Sequence, residues 1–397
     1  MTERLFAIDP YLLDFEASVQ ARREHEGRPA VVLDRTAFYA ESGGQPWDTG
    51  TLGEARVVAV LVDGDDILHV LDRRLDEARV QGHVDGERRR DHRQQHHGQH
   101  LLSRAFVEVA AAATTSFHLG AELITIDLDR LVTDAQTRAA EARANEVVWE
   151  ARPVRVRTVT ATEVKALGLV PPPGAEHGIR LVEAEGFDLQ PCGGTHPRST
   201  AEVGVILVTA TERYKGGTRV SFVCGHRALA AVRRRQAVLD RLSALLSAPL
   251  DGLVEETERT REALAASERR GKELLARALD GEARRLLAEA GAGASGVAVV
   301  VAAYEGWPPE ELRTLASRLV ALSPCVALLG GRADKAHLVF ARSEGLSHDM
   351  PALLRSAVET LGGRGGGRGN MAQGGGERVE RLDEVLARAA AAVRGVT

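Results

Sequence analysis

The densest run of chemically capable side chains is His92-Arg93-Gln94-Gln95-His96-His97-Gly98-Gln99-His100. His96 and His100 stand four apart, so on a helix they project from one face, close enough to clasp a single ion. Far along the chain, Cys192-Gly193-Gly194-Thr195-His196 offers a thiolate and an imidazole across a double-glycine turn. Glycine at such a turn lets the backbone pass close to a bound group or take up a positive φ. One Cys and three His form a borderline-soft nitrogen–sulfur set, which favours Zn2+ over Mg2+ or Ca2+.

Each half alone is a weak signal. Paired histidines at this spacing are often only a polar helix face, and a lone cysteine is usually buried and inert. Together they complete a tetrahedral set of His96, His100, Cys192 and His196. His92 competes, being one turn ahead of His96 on the same face, whereas His97 is rotated about 100° away. We therefore read His97 as lining a pocket or facing solvent. Gly98 costs a helix about 1 kcal/mol relative to Ala, so something requires a small residue there. Four protein ligands describe a closed structural site, while a catalytic zinc keeps one position open, and spacing alone does not separate the two.

The elements that must position these residues define an α+β multidomain chain. Residues 1–87 read as a small β-barrel or sandwich, with β-branched stretches at 30–33, 55–62 and 67–71 parted by turn-formers such as Ser42-Gly43-Gly44 and Asp63-Gly64-Asp65. Residues 88–227 mix helices (88–113, 134–149) with strands (123–128, 179–184, 203–210) and carry the metal motifs. Residues 228–290, rich in Ala, Leu, Arg and Glu, read as a helical hairpin linker interrupted at Pro249 and Gly252. Gly291 to Gly296 reads as a hinge. Residues 291–397 read as a small α/β domain, with strands at 297–303, 325–329 and 336–342, helices at 310–322 and 350–360, and a glycine-rich run over 362–376. That run lacks the order of a phosphate-binding GxxxxGK[ST] loop, and part of it reads as flexible.

Composition excludes several classes. Of 397 residues, 44% are hydrophobic and 27% charged, the balance of a chain that buries real cores. Three cysteines cannot make a disulfide framework and suit a reducing compartment. The acidic N-terminus is unlike a secretory signal, and no apolar run is long enough to span a bilayer, so a cytoplasmic location is expected. A net charge of −5 denies bulk polyanion binding, leaving local patches such as Arg88-Arg89-Arg90 and Arg233-Arg234-Arg235.

The paired motifs HxxxH and CGGTH resemble those of the alanyl-tRNA synthetase editing domain and its stand-alone AlaX-type relatives. The threonyl-tRNA synthetase editing domain shares them. Further matches follow in order: Thr36-Ala37-Phe38-Tyr39 to Gly50, Gln94-Gln95-His96 to Leu102, Ser116 to Gly120, Thr125 to Asp129, Gly204, and Arg219 to Gly225. The tail around Met371-Ala372-Gln373-Gly374-Gly375 is similar to the C-terminal domain of alanyl-tRNA synthetase, a module shared with DHH-type phosphoesterases. The chain departs from the family pattern at His97, where Thr is usual, and at Ser42, where a third Gly is common.

The resemblance to the long AlaX form implies an aminoacyl-tRNA hydrolase that removes serine, or glycine, from mischarged tRNA(Ala), with one Zn2+ per chain. It implies Thr36 as partner of the serine hydroxyl, Gly43, Gly44 and Gln45 at the aminoacyl-adenosine end, and Arg364 and Arg368 as tRNA phosphate contacts. His97 and Asp188 are the candidates for a general base. Dimerisation through the C-terminal half is expected, and membrane partners are not. An aminoacylating ligase is not expected, because the segment ahead of the first strand is too short for that domain. Two other readings remain: a non-catalytic zinc-containing tRNA-binding protein, and editing of another misacylated tRNA such as Ser-tRNA(Thr).

Overall fold

The computed structural model describes residues 1–120, 124–290 and 297–395. The expected hinge at Gly291 to Gly296, and Leu123 at the start of one expected strand, lie outside the described residues. The chain divides into two compact units, Met1–Leu242 and Ser243–Thr397.

The N-terminal part of the first unit contains six strands, Asp14–His25, Arg28–Leu33, Gly50–Leu52, Ala55–Asp63, Asp66–Leu71 and Arg79–Val84, whose pairings close into a barrel. Period-two alternation fills it: in Arg79–Val84 every second residue is buried, placing Val80 and Val84 inward with Phe15, Leu33, Phe38 and Leu71. The short strand Gly50–Leu52 closes the ring by pairing with both Ala55–Asp63 and Arg79–Val84. A Cβ at Gly50 would fall 2.0 Å from the His83 carbonyl oxygen, so the closure requires glycine.

From the barrel the chain runs straight into the histidine helix, Gly86–Ala110, capped by the Asp85 carboxylate, which accepts from the Glu87 and Arg88 amides. Arg89, one turn in, is 1% exposed and donates to both oxygens of Asp48 (Nε at 3.2 and 3.0 Å) and to the Pro10 carbonyl at 2.9 Å. A buried guanidinium is tolerable only with such full pairing. Leu101, Leu102 and Phe106 bury the helix against an antiparallel sheet ordered Ile206–Tyr214, Gly217–Cys224, Ile124–Leu128, Thr114–Leu119. The helix expected over 134–149 spans Asp134–Trp149, opened by a Thr133/Gln136 capping box. The strand expected at 203–210 instead starts at Ile206. Thr200–Val203 forms a 3-10 turn ended by Gly204 at φ +69°. A separate three-stranded sheet, Val154–Val159, Ile179–Ala184 and Asp188–Pro191, leads into the cysteine segment.

The second unit holds a five-stranded sheet ordered Ala298–Glu305, Cys325–Arg332, Ala336–Arg342, Met371–Gly376, Arg364–Arg368. Successive residues of its central strands point to opposite cores. Val326, Leu328, Leu338 and Phe340 pack with Leu354 and Val385, while Ala327, Leu329 and Val339 pack with Leu312 and Leu315. The region expected as a helical hairpin interrupted at Pro249 and Gly252 is two helices, the second of which also packs into a core. The helix Gly225–Leu246 is followed, after a short turn, by Leu253–Ala290, whose Leu279, Ala283 and Leu286 are part of the second unit's core.

The glycine-rich run is corrected from flexible loop to β-hairpin, with Arg364–Arg368 paired to Met371–Gly376 across Gly369-Asn370. Several of its glycines are required by close backbone contact. A Cβ at Gly363 would lie 1.8 Å from the Gly375 carbonyl oxygen, and one at Gly367 2.3 Å from that of Met371. Among the described residues no helix is long and apolar enough to cross a membrane.

Candidate metal centre

The structure brings His96, His100, Cys192 and His196 together, with one ligand atom from each lying within 4.8 Å of all the others. Cys192 Sγ is 3.3 Å from His96 Nε2 and 3.2 Å from His196 Nε2. Zinc–sulfur and zinc–nitrogen bonds of about 2.3 and 2.0–2.1 Å in a tetrahedron set the ligand atoms of a one-sulfur, three-nitrogen site roughly 3.3–3.6 Å apart. The residues present therefore fit an ion of that size, and the group can hold a metal.

The outer nitrogens of the three imidazoles are also held. His96 Nδ1 lies 2.8 Å from Gln45 Oε1. His100 Nδ1 lies 3.3 Å from Asp188 Oδ2 and 2.7 Å from Gln190 Nε2, which itself donates to that carboxylate at 2.8 Å. His196 Nδ1 lies 3.1 Å from His97 Nδ1. Each ring thereby turns Nδ1 outward and leaves Nε2 for the centre, the arrangement by which outer partners orient metal-binding imidazoles.

Glycines make the approach possible. A Cβ at Gly194 would sit 2.1 Å from His96 Cε1, so the cysteine loop can cross the ring only without a side chain. Gly98 is explained the same way: a Cβ there would meet Cys224 Sγ at 2.3 Å. Gly44, at φ +81°, lies under Phe117, whose ring centroid is 6.4 Å from that of His96. Gly43 is also left-handed, at φ +54°, with open space beside it.

Electrostatics favour a thiolate. Burial would raise the Cys192 pKa, but His96 and His196, together with hydrogen bonds from His100 and His196, hold it well below the usual thiol value. Burial opposes protonation of His100, yet Asp188 and the thiolate raise it to about 9. His196 is lowered to about 3 by burial, and His97 falls well below 6.5 for the same reason, aided by the neighbouring imidazoles. The sulfur is already in the anionic state that a divalent ion needs, whereas His100 holds a proton that the ion would have to displace.

The remaining expected residues are placed as follows. Gln45 is committed to the scaffold: besides His96, its Oε1 accepts from Thr195 N at 3.0 Å and its Nε2 donates to Thr195 Oγ1 at 2.9 Å. Thr36 is buried beside the barrel core, with its Oγ1 2.8 Å from His69 Nε2 and accepting from Phe38 N at 3.1 Å. Asp188 and His97 stand behind ligands. His97, read as pocket-lining or solvent-facing, is 1% exposed. His92 is buried outside the cluster. Arg364 and Arg368 are exposed in the second unit.

Three further residues contribute, of which Gln95 belongs to the Gln94-Gln95-His96 match read from the sequence. Arg180 binds the Cys192 carbonyl at 3.2 Å and also the Gly194 carbonyl, shaping the loop. Gln190, two positions beyond Asp188 and so on the same strand face, was legible only in retrospect. Gln95 ties the helix to Cys224, accepting from its amide at 2.8 Å and donating to its carbonyl at 3.0 Å.

Three family models match the chain. Residues 11–90 match the model for class II (A) tRNA synthetases, and 179–221 match the threonyl and alanyl tRNA synthetase second additional domain. Residues 296–395 match the DHHA1 domain. The chain is 32% identical to the alanine–tRNA ligase of Ignicoccus hospitalis over 98% of its own length but only 43% of the ligase, so it spans less than half of such relatives. The solved C-Ala domain of Aquifex aeolicus alanyl-tRNA synthetase is 27% identical, with 27% of this chain and 94% of that domain matched at a TM-score of 0.23. The alanyl-tRNA editing protein AlaX-L of Pyrococcus horikoshii is 31% identical over 97% of this chain and 96% of its own length. With near-complete coverage on both sides, this chain belongs to the AlaX-L family of alanyl-tRNA editing proteins.

Proposed function

We propose that this chain hydrolyses the ester joining serine, and secondarily glycine, to tRNA(Ala), with one zinc ion held by His96, His100, Cys192 and His196. The observation that carries this reading is the convergence of those four ligand atoms from two distant segments. A synthetase pocket sized for alanine rejects glycine poorly, and an added hydroxyl only modestly, so a second site must inspect the product. A zinc ion held by these four residues would supply Lewis-acid positive charge to the site.

The chain's own residues do the positioning. Gln45 bridges the helix to the cysteine loop through His96 and Thr195. Asp188 and Gln190 fix His100. We read Asp188 and His97 as positioning residues and not as the general base, because each already faces a ligand's outer nitrogen. With His69 neutral and its Nδ1 facing the Val31 carbonyl, the Thr36 hydroxyl donates to Nε2 and keeps one lone pair. That lone pair is the acceptor we assign to a serine hydroxyl, and alanine would leave it unpaired. In the second unit, Arg364 and Arg368 are proposed phosphate contacts, and dimerisation is proposed through this half.

The test is amino-acid release from Ser-, Gly- and Ala-tRNA(Ala) and from Ser-tRNA(Thr), with and without a chelator. Release from Ser-tRNA(Ala) that spares Ala-tRNA(Ala) and stops with the chelator is expected. Binding of tRNA without any release would refute the hydrolase reading.

A further inference from the structure

Among the buried imidazoles around the centre, His97 is the one that is not a ligand and yet touches one. Its Nδ1 lies 3.1 Å from His196 Nδ1, its ring centroid lies 5.2 Å from that of His196, and its Nε2 has no hydrogen-bond partner among the described residues. Two ring nitrogens at that separation bond only when a single proton lies between them. His196 presents its other nitrogen, Nε2, to Cys192 Sγ at 3.2 Å. If Nε2 carries the metal, neutral His196 must hold its proton on Nδ1. His97 Nδ1 then accepts that proton's hydrogen bond, and the ring proton of His97 resides on Nε2, the atom left without a partner.

We propose that His97 is a positioning residue that fixes the tautomer and ring orientation of His196 for metal binding. It completes for His196 what Gln45 does for His96 and Asp188 for His100. This inference rests on the metal reading above. The tautomer is coupled to loading: with no ion on His196 Nε2, that nitrogen can carry the proton, and the bond between the two Nδ1 atoms can reverse direction.

The test compares zinc affinity, by competition with a chromogenic chelator, for the full chain and for His97→Asn, His97→Leu and His97→Gln. Asparagine places an acceptor oxygen where Nδ1 stands, whereas leucine offers none and glutamine places its amide too far out. Loss of an outer partner typically costs 10–100-fold in metal affinity. We expect His97→Leu and His97→Gln to weaken zinc binding by about that factor, and His97→Asn to stay within about threefold of the parent. A leucine variant binding zinc as tightly as the parent overturns the proposal, as does an asparagine variant no better than leucine. If the leucine variant fails to fold, long-range nitrogen–proton NMR of the zinc-loaded parent decides. Protons on Nε2 of His97 and Nδ1 of His196 support the proposal, and a proton on Nδ1 of His97 overturns it. Zinc binding by the parent that is lost in Cys192→Ala separately establishes the metal reading, so the two failures are distinguishable.

Discussion

The Nδ1 atom of His96 lies 2.8 Å from Oε1 of Gln45, across 51 positions of chain, and the same oxygen accepts from the Thr195 amide at 3.0 Å. One side-chain amide therefore sets both a helix ligand and the loop that carries two more. Gln45→Ala should lower zinc affinity by roughly 10–100-fold. Zinc content after dialysis against a graded chelator series measures this, and an unchanged content would remove Gln45 from the centre.

Cys192→Ala and His100→Ala should sharply weaken zinc retention and abolish release of serine from Ser-tRNA(Ala), since each removes one of the four side chains that hold the ion. Metal analysis paired with deacylation assays checks it. Full activity in a zinc-free variant would end the metal's role.

Gly98→Ala should destabilise the first unit despite alanine's better helix propensity. The new methyl would overlap Cys224 Sγ at 2.3 Å. Overpacking costs typically 1–3 kcal/mol, more than the roughly 1 kcal/mol gained in propensity. Combining it with Cys224→Ala should restore part of the loss, and urea denaturation of the double-mutant cycle reads the coupling. Strict additivity would show that the two sites do not touch.

Thr36→Val should reduce serine release about tenfold or more while leaving zinc content unchanged, because one buried hydroxyl bond is worth about 1–3 kcal/mol. It should also destabilise the barrel, since His69 Nε2 loses its partner. Loss of stability with no change in release would confine Thr36 to the barrel core.

His69 gives a pH dependence of stability that is separate from the metal centre. Burial holds its pKa at about 4, against 6.5 unperturbed, and the smaller influence of the Val31 carbonyl acts the other way. Above pH 6.5 both folded and unfolded forms are neutral, and the contribution is complete. Between 6.5 and about 4 only the unfolded chain takes the proton, so stability falls as pH falls, by on the order of 3 kcal/mol in all. Denaturation midpoints at pH 7.5 and 5 should differ more for the parent than for His69→Gln. Equal differences would contradict this account.

Much of this was legible in the sequence where local pattern and tertiary demand agree. The spacing of His96 and His100 and the CGGTH segment were readable because ligand chemistry restricts residue type, and Asp134–Trp149 because caps and periodicity coincide. The strand Asp14–His25 was not, since much of it is exposed and polar. The glycine hairpin was missed because its glycines answer to backbone contacts across the strand pair, which composition does not encode. Gln45 was singled out by the resemblance, but its bonds to His96 and Thr195 were not foreseen. Arg180 and Gln190 act through partners distant in sequence or shared with other groups, and nothing local distinguishes them from solvated side chains.

The pinned Arg89 guanidinium has a geometric corollary for the helix that follows it. His96 and His100 lie seven and eleven positions further on, about two and about three full turns, so all three side chains share one meridian of the cylinder. Slipping the helix by a single residue would swing that meridian through about 100° and aim both imidazoles at the wrong wall. Arg89, locked to Asp48 and Pro10, serves as an index mark that fixes rotational phase at one end so that the chemistry lands correctly at the other.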